Sequence, residues 1–157
     1  MKTAQKGILC AVAIIFSYVE FLIPIPVPIP AFKLGLSNIA ILFCLYKFSF
    51  ADTLLISIAR CFIVSLLFSG MNALPFALAG GILSLLIMWG IKKSDKFSIF
   101  GISVAGAVSH NLGQLAVAML YIGNMSIISY LPFLMLCAVI SGILIALITR
   151  EVLKRLK

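Results

Sequence analysis

The 157-residue chain is 64% hydrophobic and 10% charged, with a mean hydropathy of +1.27. A soluble domain is about 25% charged, so a water-soluble fold is excluded; the composition predicts an all-α polytopic protein, a single integral membrane domain over residues 1–157. The net charge of +8 does not indicate nucleic acid, because the basic residues cluster between apolar segments instead of alternating with base-stacking aromatics.

Hydropathy predicts six crossings. The first, about 7–23, follows Lys2 and Lys6 and has no convincing small-x-small cleavage site near its end, so it reads as a retained helix and not a signal peptide. Gly7 and Ala11 form a small-xxx-small pair on it, a helix-docking face. Glu20 near its outer end is either an interfacial carboxylate reaching for water or part of the mouth of a site. Pro24-Ile-Pro-Val-Pro-Ile-Pro30 cannot continue a helix and favours an extended course. It is either a stiff connector or a lid over the outer face of the bundle. A short second crossing, about 34–46, begins after Lys33 and carries Asn38 one turn inside, facing an internal cavity. A crossing this short relies on tilt, flanking loop or protein neighbours.

Asp52 is the expected N-cap of the third crossing, about 51–68. Arg60 lies at its centre, where an arginine costs at least about 2.5–3.5 kcal/mol on insertion scales and needs a partner. Two readings are open. Arg60 is internal glue, bound to backbone carbonyls or Glu20, or it is a guanidinium that grips a carboxylate or phosphate bidentately. Ser69–Pro75 is an uncharged outer turn in which Asn72 supplies turn chemistry. Gly80 and Gly81 in the fourth crossing, about 76–91, permit close packing, and Trp89 suits an interfacial belt.

Lys92, Lys93 and Lys96 precede the fifth crossing, about 99–122. This segment holds His110, Asn111 and Gln114 at its middle, among small residues Gly101, Ala105, Gly106, Ala107 and Gly113. Polar groups in hydrocarbon must face a bundle interior, a partner or a ligand, and positions three and four apart share a helical flank. Small residues let neighbouring helices approach. The segment reads as the wall of an internal site. The sixth crossing, about 127–148, ends in a basic stretch from Arg150 to Lys157. Under the positive-inside rule this pattern places both termini in the cytoplasm of a cell carrying the chain in its plasma membrane, with Lys33 as the main exception.

Catalytic chemistry is sparse. There is no phosphate-binding loop, no nucleophile elbow and no paired metal-ligand motif. The single histidine and four carboxylates (Glu20, Asp52, Asp95, Glu151) predict no metal, no cofactor and no catalytic residue. Cys10, Cys44, Cys61 and Cys137 are scattered and read as small hydrophobes. The residues support a substrate-binding membrane subunit that needs an energising partner, or an accessory subunit of an enzyme.

Lys33-Leu-Gly-Leu-Ser-Asn-Ile39, the segment around Arg60, Leu78-Ala-Gly-Gly81 and Gly101-Ile-Ser-Val-Ala-Gly-Ala-Val-Ser-His-Asn-Leu-Gly-Gln114 resemble the Gx transporter family, also labelled heptaprenyl diphosphate synthase component I, over nearly the whole chain. That family is related to the substrate-binding S components of energy-coupling factor (ECF) transporters. The resemblance implies a six-helix bundle, an outward-facing ligand pocket, a lid after the first helix and docking to an ATPase and transmembrane module through an A-x-x-x-A face. Gly7 and Ala11 depart from that pattern. The enzyme label implies a soluble synthase partner. The Asp-rich Mg²⁺ motifs that prenyl diphosphate synthases use are missing here, so the chain is not a catalytic subunit on its own. The expected function is uptake of a small anionic or polar-headed molecule. Arg60 supplies charge, Asn38, His110, Asn111 and Gln114 supply hydrogen bonds, and Glu20 lines the site. The alternative is a non-catalytic membrane subunit of a prenyl diphosphate synthase.

Overall fold

A computed structural model describes residues 2–23, 35–123 and 125–155. Six α-helices account for most of them: α1 (Lys2–Leu22), α2 (Asn38–Lys47), α3 (Phe50–Val64), α4 (Leu74–Lys93), α5 (Ile99–Ile122) and α6 (Leu131–Arg155). A π-helical turn, Ser65–Ser69, prolongs α3, and 3₁₀ turns at Met71–Ala73 and Met125–Tyr130 lead into α4 and α6. The Pro24–Pro30 segment, Lys33 and the expected start of the second crossing at Leu34 lie outside the described residues.

Local chemistry sets most of the helix ends. Ser49, not Asp52, caps α3, its hydroxyl accepting the Asp52 N–H. Asp52 falls in the first turn, where a carboxylate suits the positive end of the helix dipole, and its Oδ1 takes the Lys6 ammonium at 2.6 Å. Pro75 sits in the first turn of α4, where its missing N–H costs nothing. α5 starts after the Ser98 cap and ends at Gly123 in the left-handed conformation. α6 starts later than expected, with Pro132 in its first turn, and continues through the basic tail to Arg155.

α2 is the core of the bundle. Its ten residues rise about 15 Å, roughly half the hydrocarbon thickness, and Asn38 through Leu45 are all buried. A helix apolar all round has to be enclosed, and α1, α3, α4 and α6 enclose it. Ile41, Leu42 and Leu45 pack with Ile56 of α3, Leu85 and Met88 of α4, Ile102 of α5 and Ile145 of α6. Protein neighbours therefore surround this short helix.

The densest packing joins α5 to α4 and α6, and small residues make it possible. A Cβ on Gly113 would lie 2.8 Å from the Ala79 carbonyl oxygen, and one on Gly142 would lie 2.7 Å from the Val104 Cα. Hydrogen bonds follow the same seams. Ser103 Oγ donates to the Gly142 carbonyl at 2.7 Å and Asn111 Nδ2 to the Leu134 carbonyl at 3.0 Å.

By length and composition four stretches can cross a bilayer: Thr3–Leu22, Phe50–Ser69, Met71–Lys93 and Ser126–Arg155. The expected six crossings exceed that count, because α2 is short and the polar residues of α5 dilute its apolar character. The chain is a multi-pass helical membrane protein. Its successive helices run in alternating directions, which gathers Lys6, Lys47, Lys92, Lys93 and Arg150 at one end. There the Lys92 ammonium caps α2 by donating to the Leu45 carbonyl at 2.6 Å and lies over the Tyr46 ring.

Candidate functional site

Away from the basic end, α1, α3, α4, α5 and the start of α2 surround a small cavity. Ser17 and Glu20 face it from α1, Arg60, Cys61 and Val64 from α3, Ala77 from α4, His110 and Gln114 from α5, and Ser37 from the residue before α2. Its volume is about 20 Å³, enough for roughly one water molecule. Backbone geometry explains the convergence. His110 and Gln114 are one turn apart on a face of α5 that meets α4, and Gly80 lets them in, since a Cβ there would lie 3.0 Å from Gln114 Cγ and 3.1 Å from His110 Cε1. Gly81 lies beside the Arg60 guanidinium, whose Nη2 would be in ordinary contact, 3.6 Å, with a Cβ there.

Arg60 is only 5% exposed. Its Nη1 donates to Ser37 Oγ and, at 3.5 Å, to Ser17 Oγ; its Nη2 reaches the Cys61 sulfur at 3.5 Å. Ser17 Oγ donates a hydrogen bond to the Ala13 carbonyl at 3.0 Å, which turns its lone pairs toward the guanidinium. These partners are neutral, and Arg60 Nε is buried without a hydrogen-bond partner among the described residues. Buried ions ordinarily require a counter-charge. The hydrogen bonds of Arg60 run to hydroxyls and a thiol, and the Glu20 carboxylate lines the same cavity. Glu20 is 3% exposed, so it does not reach for water; its carboxylate Oε1 accepts the Gly35 N–H and joins the end of α1 to the approach to α2.

Four of the six residues expected at the site, Glu20, Arg60, His110 and Gln114, line one cavity. Asn111 does not; it turns away from the cavity to bond the α6 backbone. Asn38 is buried but packs over Gly35, and its Nδ2 has no hydrogen-bond partner among the described residues. Sequence reasoning missed Ser17, Ser37 and Cys61. Ser17 precedes Glu20 by three positions, a spacing that shares a helix face; Ser37 and Cys61 adjoin residues already singled out, but short side chains announce no orientation. No group of three or more potential metal ligands occurs among the described residues.

These features define a multi-pass helical membrane protein with a small polar cavity, enclosed by its helices, that holds a buried guanidinium and a buried carboxylate. The profile of the heptaprenyl diphosphate synthase component I family matches residues 9–152, and the chain belongs to that family. No curated protein and no solved structure matches it.

Proposed function

We propose that the chain is a membrane ligand-binding component whose cavity receives the anionic or polar head of a small molecule, with Arg60 as its principal anchor. The observation that carries this reading is a buried guanidinium bonded to hydroxyls and a thiol, with Nε unmatched among the described residues. A carboxylate or phosphate oxygen there gains charge-assisted hydrogen bonds, and the start of α2, the positive end of its dipole, adds to the attraction. His110 and Gln114 supply further polar atoms. A cavity of about 20 Å³ is far smaller than the roughly 300–1,000 Å³ of ordinary ligand sites, so binding requires the helices around it to part. The basic end faces the cytoplasm of the plasma membrane in this reading, with six crossings and both termini inside, and the energy for uptake comes from a separate ATPase module.

A second reading is favoured by the family description: a non-catalytic membrane subunit that works with a soluble heptaprenyl diphosphate synthase. Native mass spectrometry after gentle extraction from the native membrane separates the two. A retained small anion or an ATPase module supports uptake. A retained prenyl diphosphate or a co-purifying synthase chain makes the accessory role the better account.

A further inference from the structure

The Arg60 guanidinium presents donors along more than one edge, and the protein engages them unequally. Nη1 donates to Ser37 Oγ and, at 3.5 Å, to Ser17 Oγ, so α1 and the residue before α2 hold that end together. Ser17 accepts there because its own hydroxyl donates to the Ala13 carbonyl. Along the other edge the Nε–H and one Nη2 N–H point the same way, as the planar fork requires. That edge has no strong acceptor. Nε is buried without a hydrogen-bond partner among the described residues. Nη2 reaches the Cys61 sulfur at 3.5 Å, a weak acceptor that is itself 3.4 Å from the Ala77 carbonyl. The side chain is buried and lines the cavity. A buried donor left without an acceptor is costly, so this edge is where a ligand oxygen gains most.

We propose that the head group received at the Nε–Nη2 edge of Arg60 is a carboxylate, and that the substrate class is a small carboxylic acid; this rests on the ligand-binding reading above. Two coplanar carboxylate oxygens accept the two parallel N–H bonds of the fork. Space selects against a phosphoryl head. The cavity, about 20 Å³, holds roughly one water molecule, and a flat group entering edge-on displaces less protein than a tetrahedral one with three terminal oxygens. Charge points the same way. The buried Glu20 carboxylate lines the same cavity, and a single negative charge is opposed less by it than a phosphoryl group's two, whatever else Glu20 binds. Cys61 belongs to the design as well. A thiol holds Nη2 loosely, so an incoming oxygen replaces a weak contact and not a strong one.

The test is saturation-transfer NMR of the purified full chain in nanodiscs, with empty nanodiscs as the blank. The probes are butyrate, butyl phosphate and butyramide, and benzoate, phenyl phosphate and benzamide, each titrated to millimolar concentration. Because the fork is the principal anchor, the head group alone should bind. The two carboxylates are expected to show a Kd at least about tenfold below those of their phosphate and amide counterparts. Arg60→Lys keeps the charge but loses the fork, and should raise the carboxylate Kd about tenfold. Cys61→Ser gives Nη2 a stronger acceptor and should also raise it, by about threefold. Tighter binding of either phosphate, lost in Arg60→Lys, would overturn the carboxylate class and leave the ligand-binding reading standing. Equal carboxylate Kd values in wild type and Arg60→Lys would overturn the role of the fork. No probe binding above the blank would overturn this proposal and the ligand-binding reading together.

Discussion

An arginine in a membrane helix poses one question: what balances it. In this protein Arg60 is hydrogen-bonded to Ser17, Ser37 and Cys61 and shares its cavity with the Glu20 carboxylate, an arrangement that holds the guanidinium in place. Arg60→Ala should therefore lower affinity for the retained anion about 10- to 150-fold, in line with the worth of a charge-assisted hydrogen bond of about 1.5–3 kcal/mol, while the helical content seen by circular dichroism is preserved. Arg60→Lys should restore little of the affinity, because an ammonium lacks the planar fork. Asn111→Ala is the contrasting case. It removes an interhelical hydrogen bond worth about 0.6–2 kcal/mol, so it should lower the unfolding temperature in detergent and leave anion binding unchanged. Arg60, Glu20, His110 and Gln114 were legible in the sequence because strongly polar side chains stand out in apolar runs. Asn111 was misjudged for a geometric reason: it lies roughly 100° around the helix from His110, and sequence does not say which neighbour occupies that direction.

The helix seams make a separate demand. Gly113 meets the backbone of α4, with Ala79 oxygen and Gly80 Cα 2.8 and 2.9 Å from a Cβ, and backbone cannot move aside as a flexible side chain can. Gly113→Ala should destabilise the bundle by about 1–3 kcal/mol, as overpacking does, and should disturb His110 and Gln114 along with it. Gly7→Ala, at a position where a Cβ meets nothing within 4 Å, should leave the unfolding temperature unchanged or slightly raise it through helix propensity. Thermal unfolding of both variants in one detergent checks the pair, and equal losses would show that the seam is not close-packed. The glycines of α4 and α5 were legible as a packing surface, and the ends of α5 coincide with its apolar run. The beginning of α6 was not legible, because Met125–Tyr130 is apolar enough to be helix yet adopts a 3₁₀ course before Pro132. The enclosure of α2 could be expected only as one of several ways to accommodate a short apolar segment; its neighbours decide it.

For the whole molecule, alternation of helix direction puts the basic residues at one end and the Arg60 cavity nearer the other. The proposed orientation, with the basic end in the cytoplasm, follows the positive-inside rule. On a background with the native cysteines replaced, Asn72→Cys should react with a membrane-impermeant maleimide in intact cells, and Ser94→Cys should react only after permeabilisation. The opposite pattern would place the cavity on the cytoplasmic side and remove the uptake reading. Fold class, basic clustering and the polar centre of α5 were accessible from composition and periodicity, since each is a property of one segment. The cavity is a property of five segments together, and only their packing brings Ser37, before α2, to Arg60 of α3.

The most direct test of the account is the retained-ligand spectrum of wild type, Arg60→Ala and Asn111→Ala, each extracted identically from its native membrane and analysed by native mass spectrometry. The account predicts a small anionic adduct on wild type and Asn111→Ala that is lost from Arg60→Ala while all three remain folded. An adduct undiminished in folded Arg60→Ala would contradict the account and leave Arg60 as a structural cation held by its hydroxyl neighbours.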